Sequence, residues 1–337
     1  MRAFVVTGPR ESEVREVDAP SAATGQVVVD VEGVGVCGTD NEFFAGDMAY
    51  LQSGEAEYPM RLGHEWCGTV SAVGAHVDTS WVGQRVTGDT MLGCGHCHRC
   101  RSGRQHLCEN RHEIGVRHGW PGALAEQLPV PVTALKRLPD SVDATLGALV
   151  EPGGNALRAV RGAQLERGQR ALVLGPGAIG LLIALIAAGR GAEVHLMGPD
   201  HASLEFARSI GIENLWVQDE LPDVPFDAVV DASNAAALPT LAAERVEPGG
   251  RVVYIGLAGE PSLVDSRTIA MKDLTVVGVL SASGGLEGTI DLYADGRVDP
   301  RPLVATTVGL DMVGAVLAGD RDPAWGPAPK VHVDPRL

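Results

Sequence analysis

From residue 170 onward, short apolar runs and longer apolar-periodic segments alternate along the chain. Residues 171–174, 193–197, 228–230, 251–256 and 274–279 are predominantly apolar with little alternation, as expected of strands buried on both faces. Between them, a helix running to about residue 188 and helices over 203–210 and around 235–244 are expected from their length and spacing. Alternating strands and helices at this interval predict a doubly wound parallel sheet. Before residue 150 the pattern changes. Short apolar stretches at 26–31, 68–73 and 84–87 are broken by glycine and few helical periods occur, so this half reads as mostly β.

The nineteen residues 171–189 carry no charge and are long enough to cross a bilayer. Their punctuation favours another reading. Gly175-Pro176-Gly177-Ala178-Ile179-Gly180 stands between the strand and the helix, which is the order of a dinucleotide-binding turn. The first glycine permits the turn, the second lets backbone approach a pyrophosphate, and the third lets helix and strand pack closely. Gly175, Gly177, Ala178, Ile179 and Gly180 are therefore candidate cofactor contacts, with the phosphates at the helix N-terminus.

The chain has 337 residues, 45% of them apolar, enough for two domains with real cores. Its 43 acidic and 27 basic residues give a formal charge of −16, which disfavours nucleic acid and anionic membrane as partners. No signal peptide, repeat or low-complexity tract is apparent, and a cytoplasmic setting is expected.

All six cysteines fall into two groups. Cys94, Cys97, Cys100 and Cys108 have the spacing of a tetrathiolate, which closes around Zn²⁺ and leaves no position for substrate. This predicts a structural zinc lobe over residues 93–109. The other group lies in Cys37-Gly38-Thr39-Asp40 and Gly63-His64-Glu65, with Cys67 nearby and Glu151 following in Val150-Glu151-Pro152-Gly153. A thiolate, an imidazole and a carboxylate with one open position make a catalytic zinc site.

These ordered motifs, with Asp231-Ala232-Ser233 and Pro248-Gly249-Gly250, resemble the zinc-containing medium-chain dehydrogenase/reductase superfamily over nearly the whole length. The resemblance implies an α/β protein with a GroES-like, mostly β catalytic domain at 1–150 and 290–337. A Rossmann nucleotide-binding domain at 151–289 would lie between these segments, with the active site in the cleft. It implies two Zn²⁺ per chain, NAD or NADP, and a homodimer or homotetramer.

Carried over by resemblance, Cys37 and His64 hold the catalytic zinc, and Glu65 or Glu151 is the third ligand. The alternative for Glu65 is neutralising a nearby basic residue such as Arg61. Thr39 begins a proton relay. Glu42 stands where simple alcohol dehydrogenases have histidine, and Cys-Gly-Thr-Asp-x-Glu resembles the glucose dehydrogenase branch. Glu113 matches a sugar-binding glutamate, and Ser281 aligns near an asparagine of those enzymes. Glu42 and Glu113 could equally be solvated surface residues.

Trp66 and Trp120 are the aromatics expected nearest the cleft. Gly198 ends the second Rossmann strand, where an acidic residue would select NAD. Asp200 can reach a ribose hydroxyl or cap the next helix. Ser233 is placed on the nucleotide. The expected reaction is hydride exchange between NAD(P) and a hydroxyl or carbonyl of a sugar, polyol or cyclitol. The alternatives are a ketone reductase or simple secondary-alcohol dehydrogenase, and a catalytically silent nucleotide-binding relative.

Overall fold

The computed structural model describes residues 1–337. The chain divides into two compact units: Met1–Glu151, Ile290–Asp295 and Arg301–Leu337 form one, and Pro152–Thr289 with Gly296–Pro300 the other.

The first unit is organised by the strand Gln26–Gly35, which is buried at most positions because valines recur along it. It pairs antiparallel with Glu65–Val73, with Gln127–Pro131 and with Lys330–Val333. From Glu65–Val73 the sheet continues to Arg85–Gly88 and Leu135–Arg137, and from Lys330–Val333 to Val304–Val308. The register sets Gly35 opposite Glu65 on one side and opposite His332 on the other. Val27, Val29, Val34, Phe43, Leu62 and Leu128 fill the core beneath, each fully buried. Trp66 belongs to this core at 0% exposure, which corrects its expected place near a cleft. Its position on Glu65–Val73 turns the indole inward, where apolar burial outweighs any surface role.

The second unit holds a six-stranded sheet whose order is Asn214–Val217, Glu193–Gly198, Arg170–Leu174, Phe226–Asp231, Val246–Tyr254, Thr275–Gly278. Every pairing is parallel, the strand order of a doubly wound dinucleotide-binding sheet. The apolar stretch 171–189 is shared between Arg170–Leu174 and the twelve-residue helix Ala178–Gly189. No helix of the chain is long and apolar enough to cross a membrane. The short strand Asn214–Val217 was not apparent from the pattern, since it opens on Asn and leaves an apolar run of only three residues.

Candidate metal centres and nucleotide site

The four cysteines of the lobe meet as a tetrahedral cradle. All are free thiols, and their sulfurs lie within 4.8 Å of one another. Cys94 Sγ is 3.9 Å from Cys100 Sγ, and Cys97 Sγ is 3.8 Å from Cys108 Sγ. Zn–S bonds of about 2.3 Å give a tetrahedron with edges of about 3.8 Å, whereas a disulfide needs about 2.05 Å. The backbone N–H groups of His96 and Cys97 push the Cys94 thiol down to about 6, while burial pushes its neighbour Cys100 up to about 12. This donor set fits a closed structural zinc.

Cys37, His64 and Glu65 form the second cluster, again with ligand atoms within 4.8 Å. Cys37 sits at the N-cap of the helix Gly38–Ala45, and Glu65 opens the strand Glu65–Val73. Asp40, one helical turn into that first helix and fully buried, locks the pieces together. Its Oδ2 accepts from the Cys37 N–H at 2.9 Å and its Oδ1 from the Gly63 N–H at 3.2 Å. Burial pushes the Asp40 carboxyl up, against the opposing pull of His64.

His64 Nδ1 lies 3.6 Å from Asp40 Oδ1 and has no hydrogen-bond partner although buried. Burial by itself would push this imidazole down, but Asp40, Cys37 and Glu151 together raise it well above its ordinary value. A buried imidazole whose Nδ1 has no partner, beside a thiol and the carboxylates of Asp40, Glu65 and Glu151, is a site that a divalent cation would complete. Sequence reasoning missed the part played by Asp40; its place three residues after the N-cap Cys37 was the available signal.

Glu65 also has a partner that the sequence did not reveal. Lys330 Nζ donates to Glu65 Oε2 and, at 2.8 Å, to the Val36 carbonyl. Both side chains are under 5% exposed. Burial opposes the Lys330 charge, yet Glu65 and Cys37 raise it above its ordinary value. Arg61, the expected neutralising residue, makes no ion pair with Glu65; cross-strand pairing brings in a residue 265 positions away instead. Glu151 lies outside the 4.8 Å cluster but close enough to raise His64.

Thr39 is half-buried in the first turn of Gly38–Ala45, and Glu42 is exposed on the same helix, its carboxyl raised by partial burial and Asp47. Glu113 is only 5% exposed. Arg111 Nε donates to it at 2.8 Å and Arg117 stands 3.9 Å away. Burial pushes Glu113 up, opposed first by Arg111 and then by the charge of His64. Surface solvation does not describe this residue.

In the second unit, Gly175 has φ +102° and a Cβ on Gly180 would lie 1.9 Å from the Gly175 carbonyl oxygen. Gly177 caps the helix Ala178–Gly189 and has open space where a side chain would begin, leaving its backbone approachable. Ala178 and Ile179 follow, half-buried. This cradle fits a pyrophosphate. A Cβ on Gly198 would lie 2.7 Å from Ser203 Oγ, so glycine there permits close helix packing. Asp200 is the N-cap of His201–Ser209, accepting from the Ser203 N–H at 2.8 Å. Ser233 Oγ donates to Asp231 Oδ1 at 2.7 Å. Ser281 adopts φ +68° and its hydroxyl donates to Ser283 Oγ at 3.2 Å.

Residues 23–140 match the alcohol dehydrogenase GroES-like domain and residues 178–295 the zinc-binding dehydrogenase domain. A 2-dehydro-3-deoxy-L-galactonate 5-dehydrogenase from Pseudoalteromonas atlantica is 30% identical, with 92% of each chain covered. The chain belongs to the zinc-dependent medium-chain dehydrogenase/reductase family. An L-threonine 3-dehydrogenase from Saccharopolyspora erythraea is 32% identical over 83% of each chain. A zinc-binding dehydrogenase from Sinorhizobium meliloti 1021, solved bound to NADP, superposes with a TM-score of 0.88 at 28% identity, covering 99% of both chains. Membership makes this a zinc-dependent, NAD(P)-linked oxidoreductase acting on hydroxylated substrates.

Proposed function

We propose that the chain exchanges hydride between NAD(P) and a hydroxyl or carbonyl of a small polyhydroxylated molecule, a sugar, polyol or sugar acid. The observation that carries this reading is the donor set of half-buried Cys37 with buried His64 and Glu65, three protein ligands where a fourth position is needed for substrate. When bound, zinc supplies Lewis-acid polarisation of the substrate oxygen and nicotinamide supplies the two-electron exchange.

The protein's own groups divide the remaining work. Cys37 and His64 hold the metal, with Glu65 or Glu151 as third ligand. Asp40 fixes His64 and the Cys37 turn. The Thr39 hydroxyl passes the substrate hydroxyl proton outward, and Glu42, exposed on the same helix, receives it. Glu113 orients a substrate hydroxyl, while Gly175, Gly177, Ala178, Ile179 and Gly180 admit the pyrophosphate. Ser233, Gly198 and Asp200 border the rest of the nucleotide, and Ser281 contacts substrate. Support for a polyhydroxylated substrate comes from Glu113, which is buried among cations rather than solvated, and from the Pseudoalteromonas relative that acts on a sugar acid.

The chain acts as a homo-oligomer in this reading, joined at the sheet edge Thr275–Gly278. Leu257, Leu263 and Met271 are 84–89% exposed and Val276 on that edge is 39% exposed, apolar surface that a second copy would cover. Six free thiols suit a reducing cytoplasm.

Nicotinamide reduction by zinc-replete protein, with NAD⁺ and NADP⁺ in parallel across aldoses, polyols, aldonates, threonine and simple secondary alcohols, tests the reading. Chelator-sensitive turnover of the polyhydroxylated set is expected. Turnover restricted to threonine or to simple alcohols would overturn the substrate class.

A further inference from the structure

A cavity of 710 Å³ lies wholly within the first unit, walled in part by Arg61, Arg117, His118 and Trp120. We propose that this cavity binds an oxyanion, carboxylate or phosphate, with the Arg61 guanidinium as its recognition group.

Arg61 is half-buried, yet its side chain makes no hydrogen bond and no ion pair within the protein. Burial pushes it down, and no carboxylate offsets that cost. A desolvated guanidinium without a counter-charge is expensive unless something in the cavity answers it. Arg117, 11% exposed, spends its terminal nitrogens on Glu55 and on Glu113, and its buried Nε has no partner. Desolvation and the positive charges of Arg117, His112 and Arg111 push the exposed His118 imidazole down.

Three carboxylates also line the cavity and must be weighed against this. Glu55 is neutralised by Arg117. Asp18 and Glu57 are exposed, where water and salt screen them. The cation on this wall that no protein group answers is the half-buried Arg61, and its planar fork matches a carboxylate or phosphate with two parallel N–H donors. Trp120 gives its indole N–H to the Pro129 carbonyl at 3.1 Å, which leaves the ring as apolar wall for the carbon skeleton of a ligand.

The inference does not depend on the reaction assigned above, and because aldonates and polyols are also proposed substrates at the metal centre, the Arg61 variants separate binding in this cavity from binding there. Calorimetry on zinc-replete protein would use sodium gluconate, inorganic phosphate, and sorbitol as the uncharged counterpart of gluconate. Gluconate is expected to bind at least about ten-fold more tightly than sorbitol. Arg61→Gln removes that preference, and Arg61→Lys, charged but without the fork, restores part of it. Neither variant lowers the thermal midpoint, because Arg61 has no protein partner to lose.

Gluconate binding without phosphate binding assigns the anion to a sugar-like ligand, and binding of both assigns the site to free anions as well. Equal affinity for gluconate and sorbitol, or gluconate affinity unchanged in Arg61→Gln, would overturn the proposal.

Discussion

The carboxylate of Glu65 meets the ammonium of Lys330 across the backbone of Gly35, the strand position that separates their two strands. A Cβ at residue 35 would lie 2.1 Å from Glu65 Oε2, so the ion pair occupies the space that glycine leaves. A candidate zinc ligand and a cation are thus held together in the interior, and neither can lose the other without stranding a buried charge.

Lys330→Met should cost about 3–5 kcal/mol of stability by leaving the Glu65 carboxylate unpaired. Chemical denaturation of the single variant and of Lys330→Met with Glu65→Gln checks this. The double variant is expected to recover most of the loss, and a double no more stable than the single would show that the pair is not its cause.

Gly35→Ala should break the same pair by displacing the carboxylate. Its cost should overlap with that of Lys330→Met, so that adding the second substitution to the first costs less than about 1 kcal/mol more. Additive losses would mean that Gly35 matters for the sheet alone.

The two cysteine clusters should respond differently. Cys37→Ser is expected to abolish turnover and lower zinc content toward one per chain with the thermal midpoint nearly kept. Cys97→Ser should lower the midpoint or change assembly, because a structural zinc contributes directly to folding. Metal analysis beside thermal unfolding separates these outcomes, and equal losses of solubility would remove the division between the two sites.

His332, 2% exposed, introduces a pH dependence. Burial, with Lys330 adding to it, pushes its imidazole down to about 3. Its Nε2 has no partner. Folded His332 stays neutral where the unfolded chain, with an ordinary value near 6.5, takes up a proton, so the unfolded state gains as pH falls. The contribution is full above about pH 6.5 and shrinks by about 2 kcal/mol between pH 7 and pH 5. Stability of His332→Gln measured over that range should be flatter by this amount.

Much of the nucleotide-binding unit was legible because buried parallel strands announce themselves as apolar runs and glycines punctuate the turns. The strand Asn214–Val217 escaped because it has four residues and opens on a polar one, leaving too short an apolar run to read. Both metal clusters were legible because thiols and imidazoles are scarce residues whose spacing carries meaning. The cation facing Glu65 was not, since the strand Lys330–Val333 joins the sheet through a pairing that no local pattern encodes. Asp200 shows a residue with two plausible roles whose capping bond is visible only in three dimensions. Trp66 shows that an aromatic near a metal ligand in sequence can belong to the core instead.

Lys330 follows Glu65 by 265 residues, and the whole nucleotide-binding unit is synthesised between them. A nascent chain therefore presents Cys37, His64 and Glu65 long before their counter-ion exists. Translation order makes the charged centre one of the last parts of its unit to be completed, and chains halted in between would carry an exposed set of metal ligands that a chaperone or a stray cation could reach first.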